Sequence, residues 1–156
     1  MKDVYARLKE LGLTLPAASA PKGLYKLGVQ HGNLYFTSGK GWTEGGKPPV
    51  AGKAGAEISA EQAKECAKQS MLCLLANTEY AIGDLNRIRR VVRLTGYVAS
   101  APDFKGQTQV VNGASELLAA LYGEDCGVGS RSAIGVAALP MDMPVEVEAI
   151  FELESE

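Results

Sequence analysis

The sequence predicts an α+β two-layer sandwich, a mixed β-sheet with two helices on one face. Two segments, starting near Ser59 and Pro102, carry apolar residues at helical spacing. Runs around residues 24–39, 87–100 and 130–152 are β-branched, aromatic or alternating. The summed order is helix, β-hairpin, long loop, helix, strand, helix, β-hairpin, and segregated strands with two core helices fit that architecture.

At 156 residues the chain is expected to be one globular unit with an ordinary core. A formal net charge of −2 argues against a nucleic-acid-binding surface, which needs clustered positive charge, and equally against an acidic membrane as partner. Cys66, Cys73 and Cys126 form no C-x-x-C pair and His31 is the sole histidine, so no zinc-ligand spacing can be assembled. Unpaired cysteine usage points to a reducing, cytoplasmic compartment. The N-terminus interleaves charged and apolar residues without the apolar run of a signal peptide, and no stretch suits a bilayer span.

Val4, Leu8 and Leu11 recur at helical spacing and Gly12 supplies a stop, so residues 2 to 11 read as a short amphipathic helix. Leu13 to Lys22, containing Pro16 and Pro21, reads as an extended linker. Leu24 to Gln30 and Leu34 to Gly39 read as a hairpin turning at His31-Gly32-Asn33, where His31 is expected to be a solvated tip residue. Residues 40 to 58 are rich in Gly and Pro and read as a long loop without a phosphate-cradling motif; Trp42 in it is expected to pack.

Ser59-Ala60-Glu61-Gln62 is a capping box that opens a helix running to Ile82 and stopping at Gly83, with Cys66 and Cys73 on its apolar side. Arg87 to Ser100 reads as a long strand with Arg89, Val91, Arg93, Thr95 and Tyr97 on one face. Pro102-Asp103 then opens a second helix with Asp103 as N-cap, ending at Gly123. Asn112-Gly113 within it are poor helix formers. A polar group facing a site, a close backbone contact, or ordinary tolerance would each account for them.

Ser130 to Pro140 and Val145 to Glu152 read as a C-terminal hairpin around Pro140-Met141-Asp142-Met143-Pro144. Val145, Val147, Ala149, Phe151 and Leu153 alternate with Glu146, Glu148, Glu152 and Glu154, giving one buried and one carboxylate face. The glutamates are expected to pair with the arginines of the long strand. From the residues alone, Arg131 is open to a surface ion pair with Glu146 or Glu148, the more ordinary outcome, or to a bidentate grip on a ligand carboxylate. The Glu- and Arg-rich sheet face has nothing in the chain to cover it, so a homo-oligomer is expected.

Arg131-Ser132 through Ala138-Leu139-Pro140 to Val145-Glu146-Val147-Glu148-Ala149-Ile150 resembles the signature of the Rid, or YjgF-like, family of reactive-intermediate deaminases. Tyr25 ahead of Gly32-Asn33, Thr37-Ser38-Gly39, Gly83-Asp84-Leu85, and Asp103-Phe104 followed by Val111-Asn112 extend the resemblance over roughly residues 23 to 153. Residues 1–22 are thereby set apart as an N-terminal helical arm and linker, and residues 23–156 as a single domain.

The resemblance implies a chorismate-mutase-like fold, a homotrimer with clefts between subunits, and no metal or organic cofactor. It implies hydrolytic deamination of enamines and imines such as 2-aminoacrylate to 2-keto acids and ammonia, a hydrolysis of carbon–nitrogen bonds. Arg131 would hold the substrate carboxylate, Glu146 would orient or activate water, and Tyr25, Ser38, Gly39, Asn112 and Ala133 would line the cleft. Ala133 stands where many members have cysteine, Lys40 where glutamine commonly follows Ser-Gly, and Gly135 where a larger residue is usual. The alternative reading is a non-catalytic trimer binding small carboxylate metabolites or a regulatory protein partner. Ribonuclease action, also attached to parts of the family, is disfavoured by the acidic balance and by the position of His31.

Overall fold

The structure, a computed structural model, describes residues 3–155. In chain order it contains α1 (Val4–Glu10), β1 (Gly28–His31), β2 (Leu34–Thr37), β3 (Lys40–Gly41), α2 (Ala60–Ile82), β4 (Ile88–Ala99), α3 (Gln107–Tyr122), the single-turn α4 (Glu124–Gly127), β5 (Ser130–Val136) and β6 (Val145–Leu153). Lys2, expected to begin the first helix, lies outside the described residues.

The strands form one sheet in the order β1-β2-β6-β4-β5, with β3 also paired to β6. Only β4 and β5 run parallel; the other pairings are antiparallel. Helices α2 and α3 cover one face, and Met71, Leu74, Leu75, Leu118, Leu121 and Phe151 meet in the core between the layers. This is the mixed sheet with helices on one face that the sequence predicts.

The capping box at α2 forms in full: Gln62 N–H donates to Ser59 Oγ at 3.1 Å and Ser59 N–H donates to Gln62 Oε1 at 2.9 Å. The β1–β2 hairpin turns on Gly32 at φ 62°, a left-handed conformation that glycine adopts without strain. Its first strand begins later than expected, and Leu24 ahead of it is fully exposed. The loop over residues 40–58 is tied to the sheet by β3 and by bridges of Ala54 to Ser100 and Ile58. Trp42 packs against the core.

Three local expectations are corrected. The C-terminal segments do not form a hairpin, because β6 inserts between β2 and β4 while β5 lies on the far side of β4. The buried row of β6, with none of Val145, Val147, Ala149, Phe151 and Leu153 more than 3% exposed, suits a central strand, and a partner on each side satisfies its backbone. Residues Ala137 to Pro144 therefore pass over the end of β4, where Ala99 N–H donates to the Pro144 carbonyl at 2.9 Å and Ser100 N–H to the Val136 carbonyl at 3.0 Å.

Asp103 caps no helix. Phe104 N–H closes a turn onto the Ala101 carbonyl at 3.0 Å, and α3 starts only after Gly106. Val91 does not share the face of Arg89 and Arg93, because β4 is irregular on either side of it and Val91 turns inward, 2% exposed. The expected pairing of basic and acidic residues occurs at Glu152, which lies opposite Arg90 and is approached by Arg89 at 3.8 Å, whereas Glu148 lies opposite Thr95 and Glu146 opposite Tyr97.

Helix α1 is capped by Asp3, which accepts from Tyr5 N–H, and it buries Val4 and Leu8 against the domain. Val4 N–H donates to Asn86 Oδ1 at 2.9 Å and Arg7 Nε to the Ala120 carbonyl at 3.1 Å, so the arm is docked. The Asn112-Gly113 anomaly has a packing cause on its glycine side. A Cβ at Gly113 would overlap the Lys64 carbonyl oxygen of α2, so glycine lets the two helices touch. Gly113→Ala is expected to lower stability by about 1–3 kcal/mol despite alanine's better helix propensity; urea unfolding measures it, and a neutral or stabilising result would mean that the helices separate freely.

Candidate functional site

The predicted site residues fall into two groups. The first lines a cleft of about 230 Å³ where β3, α2 and the N-terminal linker meet. Tyr25, Ser38, Gly39, Lys40 and Glu146 form its walls, and Leu74, Asn77 and Thr78 of α2 its floor. The linker closes one side: Ser19 N–H donates to the buried Asn77 Oδ1 at 2.9 Å, and Lys22 N–H donates to the Tyr25 hydroxyl at 3.2 Å. The Tyr25 side chain itself stays half exposed at the mouth.

Glu146 arrives from the polar row of β6, directly opposite Gly41 of β3. A Cβ at Gly39 would overlap Glu146 Oε1, so glycine there lets the carboxylate lie against the backbone. Burial pushes the Glu146 carboxyl up, neighbouring Glu148 adds to the rise, and Lys40 opposes it. Glu148 is held by Tyr97, whose hydroxyl donates to its Oε1 at 2.8 Å.

Lys40 Nζ donates to Ser19 Oγ at 2.9 Å and to Thr43 Oγ1 at 3.1 Å, both of which also line the cleft. Burial lowers its pKa, and Lys22 at the rim lowers it further, against the opposing pull of Cys73 and Glu146. The rim includes Met141, which with its neighbour Asp142 is a non-glycine residue held at positive φ, 55° and 59°. Left-handed backbone of this kind costs roughly 1–2 kcal/mol per residue, and it turns Met141 toward Lys22, whose Nζ lies 3.5 Å from Sδ.

The second group lies between β5 and α3. Arg131 NH1 donates to Asn112 Oδ1 at 2.7 Å and to Ser115 Oγ at 3.0 Å, and NH2 donates to the Thr108 carbonyl at 3.2 Å. Asn112 thus accounts for the polar half of the Asn112-Gly113 anomaly. Ala133 follows two residues along β5 on the same side, partly buried against the core. All three acceptors on Arg131 are uncharged, and among the described residues no carboxylate lies within 4.0 Å of it.

One chain does not bring the two groups together. Arg131 sits beside Leu94, on the helix side of the sheet, while Glu146 sits beside Tyr97 on the other side. With β4 between them they are two strand spacings, about 10 Å, apart across the sheet. The ion pair of Arg131 with Glu146 or Glu148 does not form, for that reason.

Among the described residues no three His, Cys, Asp or Glu side chains are grouped to hold a metal, and no helix is long and apolar enough to cross a membrane. His31 is exposed at the hairpin turn, away from both groups. Cys66 and Cys73 are buried free thiols, and burial pushes the Cys66 thiol up to about 11. Sequence reasoning noted Lys40 only as a departure and overlooked Ser115. The signal for Ser115 was present, since it lies three residues after Asn112 on the same helix face. Ser19 and Lys22 carried none, because their approach to the cleft depends on the path of the linker.

A sequence model of the family described as endoribonuclease L-PSP matches residues 16–153. Protein TCP17 of Trypanosoma cruzi is 38% identical over 152 residues, covering 97% of this chain and 95% of that protein. Among solved structures, Atu1372 from Agrobacterium tumefaciens, described as of unknown function, is 41% identical with a TM-score of 0.89, over 97% of this chain and 92% of its own. The YjgF gene product of E. coli is 28% identical with a TM-score of 0.61, over 86% of this chain and 92% of its own.

Because burial raises the Glu146 carboxyl, the folded chain holds that proton more tightly than the unfolded chain does. The native state therefore loses stability as pH rises through the unfolded and then the folded value. Glu146→Gln is expected to raise Tm relative to the parent at pH 7, with the gain fading below about pH 4.5, the ordinary value; melting curves across that range check it, and a pH-independent difference would exclude the burial effect.

Proposed function

We propose a function from one premise: the chain belongs to the endoribonuclease L-PSP family, in its YjgF- or Rid-like form. From it we infer that the protein hydrolyses reactive enamines or imines of 2-amino acids to 2-keto acids and ammonia, at sites shared between copies of the chain in a homotrimer. The observation that carries the reading is Arg131, a guanidinium fixed by three uncharged acceptors with no carboxylate of the described residues within 4.0 Å. It is oriented before any ligand arrives, and an α-carboxylate offers the planar, bidentate partner it lacks.

The second strand of support is the separation of the two groups. Residues of the Glu146 cleft and residues of the Arg131 groove meet in one site only if the β5 side of one copy faces the β3 side of the next. The open sheet face suits such packing, since Val29, Phe36 and Ile134 expose apolar surface beside Arg93 and Glu148. A soluble trimer would bury that face.

In the assembled site Arg131 anchors the substrate carboxylate and leaves the imine carbon toward Glu146. An enamine first gains a proton on carbon and gives one up from nitrogen to become the imine. Glu146, as carboxylate, accepts a proton from water as the water oxygen bonds to that carbon. Glu146 returns that proton to the nitrogen, giving the carbinolamine, whose C–N bond then breaks as the hydroxyl proton passes to the departing nitrogen: ammonia leaves and the hydroxyl oxygen becomes the keto oxygen. Water is consumed and no electrons move to an acceptor. Ser38 donates to the Lys26 carbonyl, which fixes the backbone turn beside Gly39, and Tyr25 borders the mouth.

Ribonuclease action is disfavoured by the net charge of −2 and by the exposure of His31 outside the cleft. The test is keto-acid release from freshly generated 2-aminoacrylate and related imines. Arg131→Ala and Glu146→Gln are each expected to lose about 10²-fold or more in rate. Coassembled from the two variants, a trimer regains roughly a quarter of the parent activity, since random assortment restores that share of intact shared sites. No turnover by the parent protein, or no recovery on mixing, would overturn the deaminase or the shared-site reading respectively.

A further inference from the structure

The Glu146 cleft holds more positive charge than the proposed deamination uses. Lys40 is half-buried in its wall, and the two oxygens on its ammonium, Ser19 Oγ and Thr43 Oγ1, are neutral. An ammonium has three N–H donors, and among the described residues the third has no hydrogen-bond acceptor. None of the described carboxylates comes within 4.0 Å of Nζ, Glu146 included. A partly buried cation without a counterion is disfavoured unless something else supplies the negative charge.

Lys22 repeats the pattern at the rim. Its Nζ donates to the Gly46 carbonyl at 2.7 Å and lies 3.5 Å from Met141 Sδ, again with no carboxylate of the described residues within 4.0 Å. The two lysines border the same cleft; burial lowers the Lys40 pKa and Lys22 adds to the lowering, with Cys73 and Glu146 opposing it. The α-carboxylate of a 2-imino acid is already assigned to Arg131, and a substrate with no further charge would leave both lysines unmatched.

We propose that Lys40, with Lys22 at the rim, is a specificity-determining residue that selects substrates bearing a second anionic group at the end of the side chain. The inference rests on the deaminase reading and deepens it, by naming the substrate class as acidic 2-imino acids. The third Lys40 donor and the Lys22 ammonium receive the distal oxyanion, while the reacting carbon lies between them and Arg131. The cleft, at about 230 Å³, suits a short chain ending in a compact acid group rather than a long or aromatic one.

Stable keto acids serve as probes of the purified full-length protein by titration calorimetry: 2-oxobutanoate with one charge-bearing group, 2-oxoglutarate with a second carboxylate, and phosphohydroxypyruvate with a phosphate. At least one doubly acidic probe is expected to bind roughly ten- to a hundredfold tighter than 2-oxobutanoate, the range of a hydrogen bond to a charged group, and the stronger of the two identifies carboxylate or phosphate. Lys40→Gln collapses that preference toward one, Lys22→Gln at its exposed position reduces it in part, and Arg131→Ala weakens all three probes. Equal binding of all probes by the parent, a preference that survives both lysine substitutions, or an equal loss for every probe in Lys40→Gln overturns the specificity role. In those cases Arg131-dependent binding of 2-oxobutanoate leaves the deaminase reading standing; no probe binding and no imine turnover removes both.

Discussion

Strict alternation along β6 governs the arrangement of everything else. Five inward residues are excluded from water and the intervening glutamates project from the other side, so the strand must have the helix layer on one face and polar company on the other. A one-residue slip would bury the glutamates. With this register fixed and a neighbour needed on both edges, β6 takes the centre beside β4, and β5 is left to pair with β4 in parallel. The placement of Arg131 on the helix side and Glu146 on the open side follows from the same register.

Much of this was legible in the sequence because it is local. The capping box at Ser59, the helical stripe of α2, the alternation of β6 and the glycine at the first hairpin turn each act over a few residues, and each forms as the residues imply. What was not legible depends on partners distant in sequence. Proline-bracketed residues between two β runs satisfy the local rules of a hairpin, yet the connection crosses the end of β4, and only the third strand decides that. Asp103 resembles an N-cap, but the packing of Phe104 near Gly55 and Gly106 makes a turn there first.

The site shows the same division. Arg131, Glu146, Tyr25, Ser38 and Gly39 were found from a motif, and the motif carries residue identities without the distances between them. Asn112 looked like a helix defect from the residues alone and like a cleft residue by resemblance; its bond to Arg131, at 2.7 Å, became visible only in the fold. Lys40 appeared as a departure from a pattern; its meaning lies in the neutral oxygens around it and in a linker that arrives from the far end of the chain.

The touching point of Gly113 and the Lys64 carbonyl reaches further than helix packing. Through it α2 is seated directly against the turn of α3 that carries Asn112, while the opposite stretch of α2 supplies Leu74, Asn77 and Thr78 to the cleft floor. One rigid rod therefore supports both the arginine's bracket and the acid pocket. Drift of that rod would misalign the two at once, so substitutions along its buried stripe should register as lost geometry in the assembled site before they register as an unfolded chain.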